Sequence, residues 1–338
     1  MIIKKRTTNN MFKKLKATFF IFSISLAQSI FAQSVSTPIV GFQKSTLPAN
    51  SLVGLGVPLL NPTIISGQVS SKSSAVIAIA SASQIGSALD ANQPYYVEVV
   101  STNNNLVGSR FEVDVAATKT SNNGTITLVT SSIRNTSSPS ATDLVGSTVQ
   151  LRKHVTLDQI RRSISGTLTG DDSSASSADS LLVFSGVGFL TYWLGADLQS
   201  WYSNEDPDDH RFDVIAPGEG FLFRKKGSAA SLVTTGTVRN NDYRQVLRAG
   251  FQLNAPGYPL SYSPDTLGAQ QANGWQSNDQ ILIYSGVGFS QYSLDSDGAW
   301  TDGSTPDAYN SVVLVSSDAA FMTKMNQDVT DIETKPTQ

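Results

Sequence analysis

Few residues in this sequence combine the type and the spacing that catalysis requires. The chain contains two histidines, His154 and His210, and no cysteine. This composition excludes thiolate nucleophiles, cysteine-based metal sites and a three-histidine zinc site. The Gly-x-Ser-x-Gly turn of α/β-hydrolases is also missing from the sequence. The sequence leaves enzymatic activity open, but it favours a role without catalysis.

The densest group of charges is acidic. Asp206, Asp208 and Asp209 lie within the segment 204–209, and carboxylate oxygens are ligands that Ca²⁺ prefers. Their spacing does not follow an EF-hand loop, and a solvated loop explains the same pattern. These residues are therefore weak calcium candidates, and the sequence predicts no other cofactor. Paired carboxylates also keep a polysaccharide hydrolase among the alternatives.

Aromatic side chains offer a different chemistry, because exposed rings stack on sugars or anchor a protein partner. Tyr192 recurs as Tyr292, which favours a core role for this position. The counterpart of Trp193, in contrast, is Ser293. Because neighbouring strand residues point to opposite faces, we expect Trp193 on the face opposite Tyr192. Trp193 and Tyr202 are therefore the candidate ligand-binding residues.

A tandem duplication is predicted for the C-terminal half of the chain. The segment 181–192 (LLVFSGVGFLTY) recurs as 281–292 (ILIYSGVGFSQY), and Trp201 recurs as Trp300. This spacing predicts two copies of one β unit. A weaker similarity relates 52–58 to the segment that begins at Phe251. Each of these segments resembles an edge strand that ends at a proline.

Strand signals separated by turn residues run through the rest of the chain. Alternation predicts a strand at 111–115, and Asn122-Asn123-Gly124 predicts a hairpin turn that leads into a strand at 125–130. The best helix signal is the capping-box spacing of Thr156 and Gln159. The sequence thus predicts an all-β fold of several small sandwich-like or partly open barrel units.

The first 32 residues predict an export signal. Three lysines between positions 13 and 16 precede a short apolar stretch, and we expect cleavage near Ala32, with Met1 or Met11 as the start. No later segment is apolar enough for a transmembrane helix. We therefore expect a secreted protein or one of the periplasm or cell envelope. The predicted domains are a signal at 1–32, an N-terminal β unit at 33–155, and C-terminal repeats at 156–249 and 250–338.

Removal of this signal makes the chain more acidic. Six of the 24 Lys and Arg residues lie before Ala32, and none of the 27 Asp and Glu residues do. The mature chain would carry a net charge of −9. This charge argues against nucleic acid as a partner, because nucleic-acid binding requires a basic face.

Several motifs resemble an uncharacterised family of exported bacterial β-rich proteins. These motifs are the runs 108–111, 123–128 and 146–157, together with a Phe-x-x-Tyr that is followed by Trp. The resemblance covers most of the mature chain. It implies export and a β fold, and it implies no activity, because none is established for that family.

The leading hypothesis is an exported, non-catalytic binding or adhesion module for a polysaccharide or another envelope protein. An alternative of a different class is a structural surface subunit that assembles through exposed strand edges. A second alternative is an extracellular polysaccharide hydrolase.

Overall fold

The computed structural model describes residues 38–80, 82–102, 105–121, 123–130, 143–304, 309–333 and 336. The predicted export signal lies outside these residues. The described residues from Val40 onward form one compact unit. Its elements are nearly all strands in several sheets, so the all-β prediction is confirmed.

The N-terminal part contains eight strands and one α-helix in the described ranges. The strands are β1 (Val40–Leu47), β2 (Leu52–Leu55), β3 (Thr63–Ser73), β4 (Val76–Ile79), β5 (Tyr95–Ser101), β6 (Arg110–Glu112), β7 (Thr125–Thr127) and β8 (Thr148–Lys153). Helix α1 (Val115–Ser121) lies between β6 and β7, and a 3₁₀ turn covers Ile85–Ala88.

The middle of the chain continues with short strands around one helix. The elements are β9 (Val155–Thr156), α2 (Leu157–Arg162), β10 (Ile164–Ser165), β11 (Ser180–Phe184), β12 (Phe189–Leu194), β13 (Trp201–Ser203), β14 (Val214–Ile215), β15 (Phe221–Arg224) and β16 (Ala230–Thr237).

The C-terminal part also consists of short strands around one short α-helix. The elements are β17 (Tyr243–Leu247), β18 (Gly250–Asn254), α3 (Pro264–Leu267), a 3₁₀ turn at Gln271–Asn273, β19 (Gln280–Tyr284), β20 (Phe289–Leu294), β21 (Trp300–Thr301), β22 (Phe321–Met325) and β23 (Val329–Glu333).

Two local predictions have different outcomes. The helix at Thr156 is confirmed, because the Thr156 side chain accepts the backbone N–H of Gln159 at 3.3 Å and caps α2. The strand predicted at 111–115 is confirmed only as far as Val113, which forms an antiparallel bridge with Leu128. The tight hairpin predicted at 122–124 is wrong, because α1 lies between the two strands, and Asn122 lies outside the described residues. β6 ends at Glu112, and Asp114 accepts the N–H of Ala117 at 2.9 Å to cap α1 instead. The chain therefore enters β7 from a helix.

A six-stranded antiparallel sheet has the strand order β6-β5-β8-β3-β4-β7. It lies entirely within the chain segment between β2 and β9. Its own core consists of aliphatic side chains and two aromatic ones, including Ile77, Tyr95, Val97 and Phe111. Burial of such side chains stabilises the sheet by about 25 cal/mol for each Å² of apolar surface removed from water.

Two five-stranded sheets share one pattern of pairing. The first has the order β13-β12-β11-β15-β2, and the second has the order β21-β20-β19-β22-β18. In the first, Leu181 pairs with Tyr192 and Phe223. In the second, Ile281 pairs with Tyr292 and with residue 323. β2 and β18 are both edge strands, as expected from their sequences.

The similarity extends to the strands outside these sheets. β1 pairs antiparallel with β16, and β17 pairs antiparallel with β23. In each case, the first strand of the pair directly precedes an edge strand of a five-stranded sheet, and the second strand directly follows β15 or β22. β1 and β2 thus lie in the predicted N-terminal unit but pair with strands of the first C-terminal unit.

The two five-stranded sheets pack against each other through one face of each. Leu182 and Leu222 of the first sheet contact Leu253 and Met322 of the second in a single apolar cluster. Reciprocal backbone hydrogen bonds border this contact. The N–H of Gly56 donates to residue 318, and the N–H of residue 255 donates to residue 218, both at 2.9 Å. The contact is therefore locally two-fold symmetric.

Candidate functional site

A cleft of about 440 Å³ opens where the six-stranded sheet, the first five-stranded sheet and β17–β18 meet. This volume lies within the range of small-molecule sites, roughly 300–1,000 Å³. One wall is the hairpin β11–β12, which contributes Val183, Phe184 and Leu190. β18 also lines the cleft and contributes Phe251 and Leu253. A ligand in this cleft would therefore meet apolar surface from both elements.

The six-stranded sheet contributes a histidine–carboxylate pair to the cleft. Antiparallel pairing of β6, β5 and β8 brings Glu112 beside His154, and the His154 Nε2 to Glu112 Oε2 distance is 2.6 Å. The ring of Tyr96 packs on the imidazole with centroids 4.6 Å apart. His154 Nδ1 is buried and has no hydrogen-bond partner in the described part of the chain. Donation from Nε2 to the carboxylate would leave Nδ1 as an acceptor.

Positive charge reaches the cleft from two arginines. Arg110 is buried, and its guanidinium lies 4.6 Å above the ring of Tyr243, in a cation–π contact that fixes its direction. Arg248 is exposed at the rim, and its Nη1 lies 3.3 Å from Asp328 Oδ2. The cleft therefore presents one rigid and one adaptable guanidinium.

The loop between β14 and β15 closes the cleft from a third side. Glu219 accepts the N–H of residue 216 at 2.8 Å, which holds the loop in its turn. Gln245 of β17 donates to the carbonyl of residue 218 at 3.0 Å, so β17 also holds this loop in place. Glu219 and Gln245 both line the cleft. Polar groups on this side are thus held by hydrogen bonds rather than left mobile.

Tyr192 connects the cleft to the acidic segment. Burial raises the pKa of Tyr192, and the charge and hydrogen bond of Asp213 raise it further, so the phenol stays neutral. Its ring contacts His210 edge-on at 5.4 Å between centroids. Burial alone lowers the pKa of His210, but the hydrogen bond to Asp213 and the charges of Asp213 and Asp206 outweigh it and raise the pKa.

The aromatic candidates Trp193 and Tyr202 lie together but outside the cleft. They face each other across β12 and β13, with ring centroids 6.1 Å apart. Both are half-buried, on the sheet face opposite Tyr192. Trp193 Nε1 is buried without a hydrogen-bond partner among the described residues. Their role in ligand binding stays a prediction.

Two of the three aspartates predicted as weak calcium candidates, Asp206 and Asp209, use their carboxylates in local contacts. Asp206 lies 3.0 Å from His210 Nε2 and accepts the N–H of Asp208 at 2.9 Å. Asp209 pairs with Arg211 and accepts the N–H of Trp201 at 3.1 Å. Within the described ranges, no three His, Asp or Glu residues converge as a metal-binding group. The role of these aspartates in calcium binding stays a prediction.

Sequence reasoning missed most of the cleft. Glu112 and His154 are separated by 42 positions, and only the sheet register brings them together. Phe251 was identified only as the start of an edge strand. Each ring nitrogen of the two histidines contacts either a carboxylate or no described group. In the described part of the chain, no serine or threonine hydroxyl is hydrogen-bonded to a histidine. The cleft can therefore bind a ligand, but it lacks a hydroxyl nucleophile that a histidine activates.

Comparisons with known proteins found no match for this chain. No protein family model, no curated protein and no solved structure matches this chain. In the part of the chain that the structure describes, no helix is long and apolar enough to cross a membrane.

Proposed function

We propose that this chain is an exported, non-catalytic binding protein that takes a saccharide in the cleft beside the hairpin β11–β12. The observation that supports this proposal is the lining of the cleft. Aromatic and aliphatic side chains line the cleft together with groups of both charge signs. A small number of fixed polar groups in an apolar cleft is typical of ligand sites.

Saccharide chemistry fits this lining better than a purely apolar or a singly charged ligand. Sugar hydroxyls both donate and accept hydrogen bonds, so they are satisfied by neighbouring carboxylates and guanidiniums. Glu112 and Glu219 can accept, and Arg110 and Arg248 can donate. The C–H faces of a sugar ring can pack on a ring such as Phe251. Tyr192 stays neutral and adds a phenolic hydroxyl to the polar set.

We also infer that the two five-stranded sheets are copies of one duplicated unit, and that the six-stranded sheet is an insertion in the first copy. The shared strand order and the 100-residue offset between paired positions support this inference. The insertion explains the placement of β1 and β2 before the six-stranded sheet. It also explains why Glu112 and His154 lie beside the first hairpin.

The test is binding of the mature chain, residues 33–338, to a panel of bacterial and plant polysaccharides by pull-down and calorimetry. Phe251→Ala removes a rim ring that is 43% exposed, so the fold should tolerate the change. We expect an affinity loss of about tenfold or more, because burial of a phenylalanine side chain is worth roughly 1.5–3 kcal/mol. Phe212→Ala is the matched control, since Phe212 is 40% exposed and lies outside the cleft.

The outcomes distinguish the proposed sites. Loss of binding in Phe251→Ala with normal binding in Phe212→Ala supports the cleft. Loss in Trp193→Ala alone moves the site to the Trp193–Tyr202 pair. Release of reducing ends from a bound polysaccharide would overturn the non-catalytic assignment. Absence of binding to every glycan on the panel would overturn the saccharide proposal.

A further inference from the structure

The loop between β13 and β14 contains a peptide bond that its own side chain can attack. Asp206–Pro207 is the one Asp-Pro bond in the sequence. An aspartate carboxylate can bond to its own main-chain carbonyl carbon and close a five-membered ring. The proline nitrogen is a better leaving group than an ordinary peptide nitrogen, because it leaves as a more basic secondary amine. Both residues are exposed, so water reaches this bond.

A local turn holds the Asp206 carboxylate against this bond. Asp206 Oδ1 accepts the N–H of Asp208 at 2.9 Å, which is the hydrogen bond of an Asx turn. The ring that this hydrogen bond closes contains the Asp206–Pro207 peptide unit. The carboxylate is thus folded back towards the carbonyl carbon that it would attack.

A histidine beside the carboxylate can supply the proton that the leaving nitrogen needs. His210 Nε2 lies 3.0 Å from Asp206 Oδ1, and His210 Nδ1 lies 2.9 Å from Asp213 Oδ2. Burial lowers the pKa of His210, but the hydrogen bonds and charges of Asp213 and Asp206 outweigh burial and raise the pKa above its ordinary value. Asp213 therefore orients the imidazole and favours its protonated form, as a carboxylate does in a catalytic triad.

Other aspartates form the same turn without the rest of this arrangement. Asp171, Asp197 and Asp295 each accept the N–H of the residue two positions later, at 2.8, 2.8 and 2.9 Å. None of the three precedes a proline. In the described part of the chain, the ion-pair contacts of the two histidines are with other carboxylates. These three turns are therefore controls within the same molecule.

We propose that the chain cleaves its own Asp206–Pro207 bond, with Asp206 as the nucleophile and His210 as the proton donor. A carboxylate oxygen of Asp206 bonds to the main-chain carbonyl carbon of the same residue, and the bond from that carbon to the Pro207 nitrogen breaks. The proton of His210 moves to this nitrogen, which leaves as a secondary amine. Water then opens the cyclic anhydride to two carboxyl groups, and a proton returns to His210.

Cleavage leaves a nicked molecule rather than two separate parts. The N-terminal fragment contains β2 and β11, and both strands pair with β15 of the C-terminal fragment. β1 likewise pairs with β16 across the cut. The fragments therefore stay together in the native fold and separate only on unfolding. The reaction occurs once in each molecule, so it neither requires nor excludes saccharide binding.

The experiment incubates the mature chain, residues 33–338, from mildly acidic to neutral pH and follows it by denaturing electrophoresis and intact mass. We expect two fragments, 33–206 and 207–338, that are resolved only after denaturation. His210→Gln should slow cleavage by about a hundredfold or more, since a positioned general acid contributes roughly 10²–10⁴-fold.

The pH profile identifies the proton donor. Asp206 and Asp213 face His210 from its own loop, and Tyr192 faces it from β12. The charges of Glu219 and Glu205 act on the same tyrosine. Cleavage should slow as pH rises through the pKa of His210, because the imidazolium then loses its proton. Asp213→Asn should move this decline to lower pH, since the carboxylate is what raises the pKa.

Two substitutions at the cut distinguish this chemistry from other chain breaks. Asp206→Asn keeps an acceptor for the turn but removes the nucleophile, and Pro207→Ala replaces the leaving group. Both positions are exposed, so circular dichroism should show an unchanged fold, and both variants should stay intact. The bonds after Asp171, Asp197 and Asp295 should stay intact in every protein. A wild type that remains one chain at every pH, or a His210→Gln variant that is cleaved as fast as the wild type, would overturn the proposal.

Discussion

The two five-stranded sheets have the same strand order, but the candidate cleft lies beside the hairpin of only the first one. Beside the first hairpin, the six-stranded sheet contributes Arg110, Glu112 and His154 to a cleft. Among the described residues from β17 to β23, no comparable additional sheet is present. The comparison separates positions that the β unit needs from positions that belong to the site. Substitutions in each unit can test this separation.

The two buried tryptophans test how far the cores are equivalent. Trp201 and Trp300 are both almost fully buried, and alanine at either position should cost about 3–5 kcal/mol of unfolding free energy. The indole N–H of Trp300 donates to the carbonyl of Ala269 at 2.7 Å, whereas Trp201 Nε1 has no described partner. Trp300→Ala should therefore cost more, by about 1–2 kcal/mol, because it leaves the Ala269 carbonyl unsatisfied. Chemical denaturation measures both, and a larger cost for Trp201→Ala would contradict this account.

Glu333 provides a pH test of the second unit. It is buried, pairs with Tyr243 in the sheet register, and accepts the N–H of Gly257 at 3.1 Å. Burial raises its pKa to about 7, against the hydrogen bonds of Tyr262 and Gly257 and the charges of nearby arginines. A folded pKa above the unfolded value means that the stabilising contribution is complete below pH 4.5 and is lost as pH rises through about 7.

The size of this effect follows from the shift. Unfolding free energy should fall by about 3 kcal/mol between pH 4.5 and pH 7 through this group, at 1.36 kcal/mol for each pKa unit. His210 also has a raised pKa and contributes a loss of the same sign at higher pH. The difference between wild type and Glu333→Gln isolates Glu333. Equal pH slopes for the two proteins would contradict the prediction.

Sequence patterns predicted what depends on neighbours along the chain. The strand pairs β11–β12 and β19–β20, the edge position of β18 and the Thr156 cap follow from alternation, turns and capping, which are local. The helix α1 was missed because alternation at 111–113 continued into residues that Asp114 caps as a helix. The cleft could not be predicted, since Glu112 and His154 meet only through the register of the six-stranded sheet, and Phe251 reaches them from a different sheet.

The smallest expected effect concerns a buried aspartate that occurs at corresponding positions of the two units, Asp179 and Asp279. In the first unit, the buried Asp179 pairs with the buried Lys225 at 3.0 Å and accepts the N–H of Lys226 at 2.7 Å. In the second, Asp279 is equally buried and accepts the N–H of residue 326 at 2.8 Å, but Met325 occupies the position of the lysine.

The second unit thus holds its aspartate through backbone donors without a lysine. Breaking a buried ion pair commonly costs about 3–5 kcal/mol, because one charge stays uncompensated. Lys225→Met should cost less, about 1–2 kcal/mol, since Asp179 keeps the backbone donors that suffice for Asp279. Asp179→Ala is the contrasting variant, because it leaves the Lys225 ammonium buried without a counter-charge, with only the carbonyl of Lys226 as acceptor, and it should cost more. Denaturation of the two variants measures the difference, and equal costs would show that the first unit depends on its ion pair in a way that the second does not.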